Sequence, residues 1–373
     1  MTSTIEWTQS TWNPTTGCDR LSPGCDNCYA LTLAKRLKAM GSAKYQHDGD
    51  PRTSGPGFGV TVHGDVLGLP LRWRTPRTVF VNSMSDLFHD RVPDEYIAAV
   101  WVRMLWTSPH GAVYRRPNAP CHTYQVLTKR PGRMRSWVRR WADPDQRAAW
   151  MAAAADRGWC HPRDAVEAPW WPAVLSNVWL GVSVESQRWA DVRVPVLLDT
   201  PAAVRWLSCE PLLGPIDLDG PVVDGHRPRL TYWLTGRPGW GPEQVQPSGL
   251  ITQERATGAS IDWVVAGGES GGAKARPMHP DWARTLRDQC AAADVPFFFK
   301  QWGDWSPAGL GIGMAQHNVG REVLVGPRLD EMGHRQVMRR VGKGRAGREL
   351  DGRIWDEYPT SEHQAEVPAP SGP

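Results

Sequence analysis

Short apolar runs alternate with amphipathic helical patterns along most of this chain. Residues 78–84 form the first clear run, and an amphipathic helix is predicted over 93–106 with Pro93 in its first turn. Residues 123–127 form the next, followed after Pro131 by a basic, tryptophan-bearing helical stretch. Further runs fall at 178–184, 203–207, 261–266 and 296–299, with a short helix past Trp189 and another over 280–292. Near the start, Tyr29, Leu31, Leu33, Ala34, Leu37 and Met40 recur at helical spacing until Gly41 stops them, after residues 5–7 and 12–14, which read as a short strand running into the cysteine loop. A hairpin is expected over 58–66. Strand–helix alternation of this regularity calls for a parallel sheet with crossover helices. Counting the N-terminal strand there are seven, so an α/β fold closed as a full or partial (β/α) TIM-like barrel is expected. The barrel is assigned to residues 1–303, with insertions near 41–77, 143–176 and 214–260. A C-terminal cap with a short hairpin and a basic loop is expected over 304–360, and a disordered tail over 361–373.

Polar residues fall at regular places in this pattern. Asp86, Lys129, Glu185, Glu210, Glu269 and Lys300 each stand just past the apolar run of a different strand. In a barrel these are C-terminal strand ends on one rim, where catalytic groups gather. Any one of them is equally consistent with a rim salt bridge. Only seven of the 43 basic residues are lysines, so Lys129 and Lys300 occupy positions where an ammonium, not a guanidinium, is retained.

The loop before the first helix carries Cys18, Cys25 and Cys28, three of seven cysteines, in C-x6-C-x2-C spacing among Gly, Pro, Asn and Asp. Three converging thiolates point to a metal or cluster site. Three readings stay open: a [4Fe-4S] cluster with one open iron, a zinc site completed by a histidine such as His47, His63 or His89, and a disulfide with a spare thiol. A helix starting at Cys28 would aim free N–H groups at such a site. The other cysteines, at 121, 160, 209 and 290, are scattered, which fits a reducing compartment. No apolar run reaches eighteen residues and no signal pattern opens the chain, so a cytoplasmic location without a membrane partner is expected.

Net charge is only +4. Two basic runs, one formed by Arg130, Arg133, Arg135, Arg139 and Arg140 and the other spanning 335–348, read either as solvated faces or as nucleic-acid contacts. The 21 tryptophans allow base stacking but are for the most part assigned to packing.

Several motifs run in order through nearly the whole chain: residues 11–18 and 22–29, 80–88, 125–131, 180–185, 207–212, 267–271, 296–303 and 347–353. On these the chain resembles the phage-associated three-cysteine family named after phage gene products 37 and 68, which is radical-SAM-like. The resemblance implies that Cys18, Cys25 and Cys28 ligate a [4Fe-4S] cluster whose open iron binds S-adenosylmethionine (SAM). It further implies that an electron donor drives SAM cleavage and hydrogen abstraction from a substrate, with a nucleobase or nucleic acid among the substrate classes. Radical SAM proteins at large use C-x3-C-x2-C with an aromatic residue before the last cysteine, whereas here Asn27 precedes Cys28 and Tyr29 follows it. On this reading Asp86 and Glu185 hold SAM, and Lys129 or Lys300 meets a carboxylate or substrate anion. Glu210 and Glu269 position substrate or move a proton. The Gly267, Gly268 and Glu269 motif follows a later strand than the SAM-binding motif of radical SAM proteins, and is a candidate binding edge in its own right. The alternative class is a non-catalytic zinc protein that binds nucleic acid or a partner protein.

Overall fold

A computed structural model describes residues 5–114, 119–219, 232–236, 258–312 and 322–360. The chain divides into two compact units. The first comprises residues 1–182, 199–205 and 360–373, and the second residues 183–198 and 206–359.

In the first unit, β1 (Ser10–Trp12) leads to the short β2 (Thr15–Thr16), the cysteine loop and α1 (Tyr29–Ala39). Then come β3 (Thr61–Val62), β4 (Thr78–Val81), α2 (Asp94–Leu105) and α3 (Pro109–Tyr114). They are followed by β5 (Thr123–Thr128), α4 (Pro131–Ala142), α5 (Pro144–Asp156), α6 (Pro162–Glu167) and β6 (Val178–Ser183, as far as Val182). β1 pairs in parallel with β4, β4 with β5, and β5 with β6. All six residues of β6 are buried, as expected of a strand covered on both faces. α5 and α6 fill the predicted 143–176 insertion and bury Trp150 and Trp171, whereas Trp170 stands 84% exposed. Trp137 and Trp150 stack 5.1 Å apart and 3° from parallel, and Trp141 stacks on Trp171. These rings are core, and none offers a face to a base.

The second unit contains α7 (Gln187–Leu198), β7 (Val204–Cys209, from Trp206 onward), β8 (Trp263–Gly267), α8 (Pro280–Ala292) and β9 (Phe297–Gln301). Beyond these lie β10 (Trp305–Ile312), β11 (Glu322–Val325), β12 (His334–Arg340), α9 (Lys343–Ala346), β13 (Glu349–Leu350) and β14 (Arg353–Ile354). β7, β8 and β9 are parallel neighbours. Their register puts Trp206 beside Trp263, Ser208 beside Val265, and Val265 beside Phe298, so these side chains share one face. Beyond Phe299 the register with β8 shifts, and Lys300 is the residue skipped. Cys209 points to the opposite face, where its neighbour is Cys290 of α8.

The principal sheet has seven strands in the order β1-β4-β5-β6-β7-β8-β9, so the predicted strand–helix alternation and parallel sheet are present. Four local readings shift. The N-terminal strand lies at Ser10–Trp12. β4 stops at Val81 because Asn82 turns into the left-handed region at φ 63°. β3 pairs antiparallel with β2 and forms no local hairpin. α7 runs twelve residues despite an internal Pro195. In the cap, β10, β12 and β11 form a three-stranded sheet, more than the expected hairpin. Most of the 214–260 insertion and the tail beyond 360 lie outside the described residues.

Candidate functional site

The cysteine loop is held by a glycine that nothing else can replace. Gly17 adopts φ +87°, and a Cβ on it would stand 2.2 Å from the Gly59 carbonyl oxygen. Its N–H donates to the Met84 carbonyl at 3.1 Å, laying the loop against the residues that follow β4. Cys18 and Cys28 then pack on one apolar cluster made by Ala30, Ala34, Tyr45, Phe58 and Met84. All three loop cysteines are free, and the charge of Cys25 acts on both Cys18 and Cys28.

Burial pushes the Cys18 thiol up to about 12, reinforced by Asp86 and opposed by Arg130. Burial raises Cys28 too, against the N–H groups of Ala30 and Leu31 at the start of α1 and the Lys129 charge. Without a metal these two are thiols at neutral pH. Among the described residues no three His, Cys, Asp or Glu side chains stand as a ready metal-binding group.

Arg130 joins the loop to the strand ends. Its Nη1 donates to Cys18 Sγ at 3.3 Å and to Asp86 Oδ2 at 3.2 Å. Asp86 is buried, and its oxygens also accept the Phe88 N–H, the Thr128 hydroxyl and the Lys129 N–H at 3.0, 2.8 and 3.0 Å. Both of its oxygens are thus committed to the chain's own donors. Lys129, next along, brings its positive charge to bear on Cys28.

Asp19 anchors the other side of the loop. One oxygen accepts the hydroxyls of Thr53 and Ser54 at 2.7 and 3.0 Å, and the other meets His89 Nε2 at 2.9 Å and Arg91 Nη2 at 2.8 Å. Burial works against this carboxylate, yet those hydrogen bonds and the Arg91 charge hold it well below the usual range. Of the histidines named for a zinc site, His89 is engaged by Asp19 and His63 Nε2 lies 2.8 Å from the Thr16 hydroxyl.

In the second unit, Lys300 Nζ stands 2.9 Å from Glu210 Oε1, and the Ser208 hydroxyl donates to Glu210 Oε2 at 3.2 Å. Gly267 makes room for this pair, since a Cβ there would lie 3.0 Å from Glu210 Oε1. Gly268 is required by the chain itself, because its Cβ would fall 2.0 Å from the Trp302 carbonyl oxygen. Glu269 accepts three bonds from Arg276, from N, Nε and Nη2, at 2.8, 2.9 and 2.6 Å. Glu185 pairs with Arg193 at 2.9 Å, each side chain only 1% exposed. The six strand-end charges therefore separate. Asp86, Glu185 and Glu269 are themselves buried and each is paired with an arginine, whereas Lys129, Glu210 and Lys300 remain partly exposed.

The family described as "Protein of unknown function (DUF5131)" matches residues 2–359. The chain belongs to that family. No curated protein and no solved structure is matched. The match to DUF5131 takes in the cysteine loop, all six strand-end charges and the 347–353 segment.

Two residues of this DUF5131 chain escape a sequence reading. Arg130 looks like one member of a basic run, and only its contact with Cys18 sets it apart. The rest of that run is paired, four arginines sharing two carboxylates: Arg133 and Arg140 meet Asp94, and Arg135 and Arg139 meet Asp199. Asn82 is 3% exposed, and among the described residues neither polar atom of its side chain has a hydrogen-bond partner. An Asn directly after a strand and before a Ser-Met-Ser-Asp turn was the available signal, because Asn tolerates the left-handed conformation.

Proposed function

We propose that this protein is a radical-SAM-type enzyme on a partial (β/α) barrel, with Cys18, Cys25 and Cys28 holding a [4Fe-4S] cluster that leaves one position for SAM. The observation that carries this reading is the Arg130 guanidinium set on Cys18 Sγ while anchored by Asp86. A buried thiol needs no such donor. A thiolate does, and sulfur must be deprotonated to ligate iron.

The donor set fits the group. Three free thiols from one loop are soft ligands of the type iron–sulfur clusters use, and two of them rest on a shared apolar floor. Bound there, a cluster would supply the electron for reductive SAM cleavage and hydrogen abstraction. The chain's own part is to favour thiolates through Arg130, Lys129 and the N–H groups of Ala30 and Leu31, and to exclude water with Met84, Tyr45 and Phe58. Asp86 orients Arg130. Asp19, clamped by Thr53, Ser54, His89 and Arg91, fixes the backbone beside Cys18.

The deciding experiment is iron, acid-labile sulfide and zinc content after anaerobic purification, with a Cys18/Cys25/Cys28→Ala variant beside the wild type. About four irons and four sulfides per chain, lost in the variant, are expected for the open-iron cluster. Stoichiometric zinc that survives air and reconstitution overturns the proposal.

A further inference from the structure

Arg348 lies in the 347–353 segment that the cysteine chemistry does not use. Gly347 and Glu349 on either side accept hydrogen bonds through their carbonyls from the Trp302 backbone N–H and the Trp302 indole, at 3.1 and 2.8 Å. This pins the Arg348 backbone beside the end of β9. The guanidinium carbon then sits 5.1 Å from the Phe298 ring centre. Phe298 in turn packs edge-on against Tyr358, whose hydroxyl feels the Arg348 charge.

The residue is half-buried, but its Nε and Nη2 are fully covered and have no hydrogen-bond partner among the described residues. A covered guanidinium edge without an acceptor is a costly arrangement, because those donors have given up water and gained nothing in return. An oxyanion matches it best, since a carboxylate or phosphate takes two parallel N–H groups of one guanidinium. The surroundings agree. Lys300 lies two residues beyond Phe298 in the same strand, where the register with β8 shifts, so a second cation follows close along β9. Lys300 already holds a carboxylate, Glu210, at 2.9 Å. Trp263 and Tyr358, stacked 5.3 Å apart, wall the position with aromatic surface.

We infer that Arg348, supported by Lys300, forms an oxyanion-binding site in the second unit that takes the phosphate or carboxylate group of a small substrate. The site does not depend on what the three cysteines bind. Lys300 exchanges part of its interaction with Glu210 for the incoming anion, and Arg348 gains the acceptor its fork lacks.

The test is modification of the wild-type full chain by phenylglyoxal, followed by mass spectrometry of the peptides holding Arg348 and the exposed Arg345. Inorganic phosphate, acetate and chloride are compared at equal ionic strength. Phosphate, acetate or both should slow modification of Arg348 several-fold relative to chloride and leave Arg345 unchanged. Protection by phosphate alone assigns a phosphate ligand, and protection by acetate alone or by both assigns a carboxylate or a general oxyanion site. Equal modification of Arg348 in all three salts overturns the inference. As a second readout, the protecting anion should raise the melting temperature of wild type and of Arg345→Gln, less so of Lys300→Met, and not of Arg348→Lys. Lysine keeps the charge over Phe298 but loses the fork. A full shift in Arg348→Lys also overturns the inference.

Discussion

Arg130 Nη1 lies 3.3 Å from Cys18 Sγ, so the first cysteine of the loop is bonded to the residue that opens α4, more than a hundred positions away. The same nitrogen reaches Asp86, which makes a three-residue relay from carboxylate to guanidinium to sulfur. Such outer partners set a sulfur's charge and direction without touching a metal themselves.

Removing that partner gives the first prediction. Arg130→Gln should weaken iron retention by roughly 10- to 100-fold, the usual effect of losing a ligand's supporting donor. Chelator competition on anaerobically reconstituted protein measures it. Arg133→Gln, from the same basic run but bonded to Asp94, should retain iron like the wild type. Equal loss in both variants would point to general destabilisation and away from a relay to Cys18.

Glu185 separates a structural from a cofactor role. Its pairing with Arg193 is almost wholly buried, and Arg193 also donates to the Ser183 carbonyl at 2.6 Å. Breaking a buried pair leaves an uncompensated charge, so Glu185→Gln should lose about 3 kcal/mol or more of stability. Urea unfolding reads this. Iron content and SAM affinity per folded chain should stay unchanged. A variant of wild-type stability that fails to bind SAM would instead restore Glu185 as a cofactor ligand.

How far the sequence could be read follows from what each pattern encodes. The apolar runs of β4 to β9 are near-continuous because both faces of a parallel sheet are covered, and that signal is local and strong. α8 begins and ends at the predicted residues because Pro280 follows a His279 cap and Asp294 turns left-handed just beyond it. Charged residues after strands were equally visible, but their partners were not. Arg276 for Glu269 and Arg193 for Glu185 lie within eight positions, yet no periodicity announces a bond. The Arg130 contact with Cys18 is longer in range still, and only the fold brings the two together. Gly268 shows the same limit. The motif suggests close approach by a ligand, whereas the approaching group is the chain's own Trp302 carbonyl.

Gly17 offers a prediction about the loop as a whole. Alanine there meets both a left-handed backbone and a Cβ position 2.2 Å from the Gly59 oxygen. Backbone strain alone is worth about 1–3 kcal/mol, and the clash adds to it. Gly17→Ala should therefore lower the melting temperature and expose Cys18 and Cys28 to thiol reagents. Gly41, also at positive φ but with open space around its Cβ, should tolerate alanine with strain only and leave both thiols protected.

Asp351 gives the acid response of the second unit. Hydrogen bonds from Arg284, working against some burial, and further bonds from Arg287 bring its carboxyl down to about 2 from an ordinary 3.8. The folded state thus binds this proton less readily than the unfolded chain, so the contribution is fully present above about pH 4. It is lost as pH falls from there through about 2. The side chain is 38% exposed, so solvent screening keeps the effect below about 1 kcal/mol. Asp351→Asn suits the test because residue 351 sits at φ 55°, which Asn tolerates as well as Asp. The variant should unfold at slightly lower urea than wild type at pH 7, with the gap narrowing below pH 4 and in high salt. A gap that stays constant from pH 7 to pH 3 would mean that the two arginines recognise Asp351 by shape and hydrogen bonding, and that its charge contributes nothing to their hold on the turn.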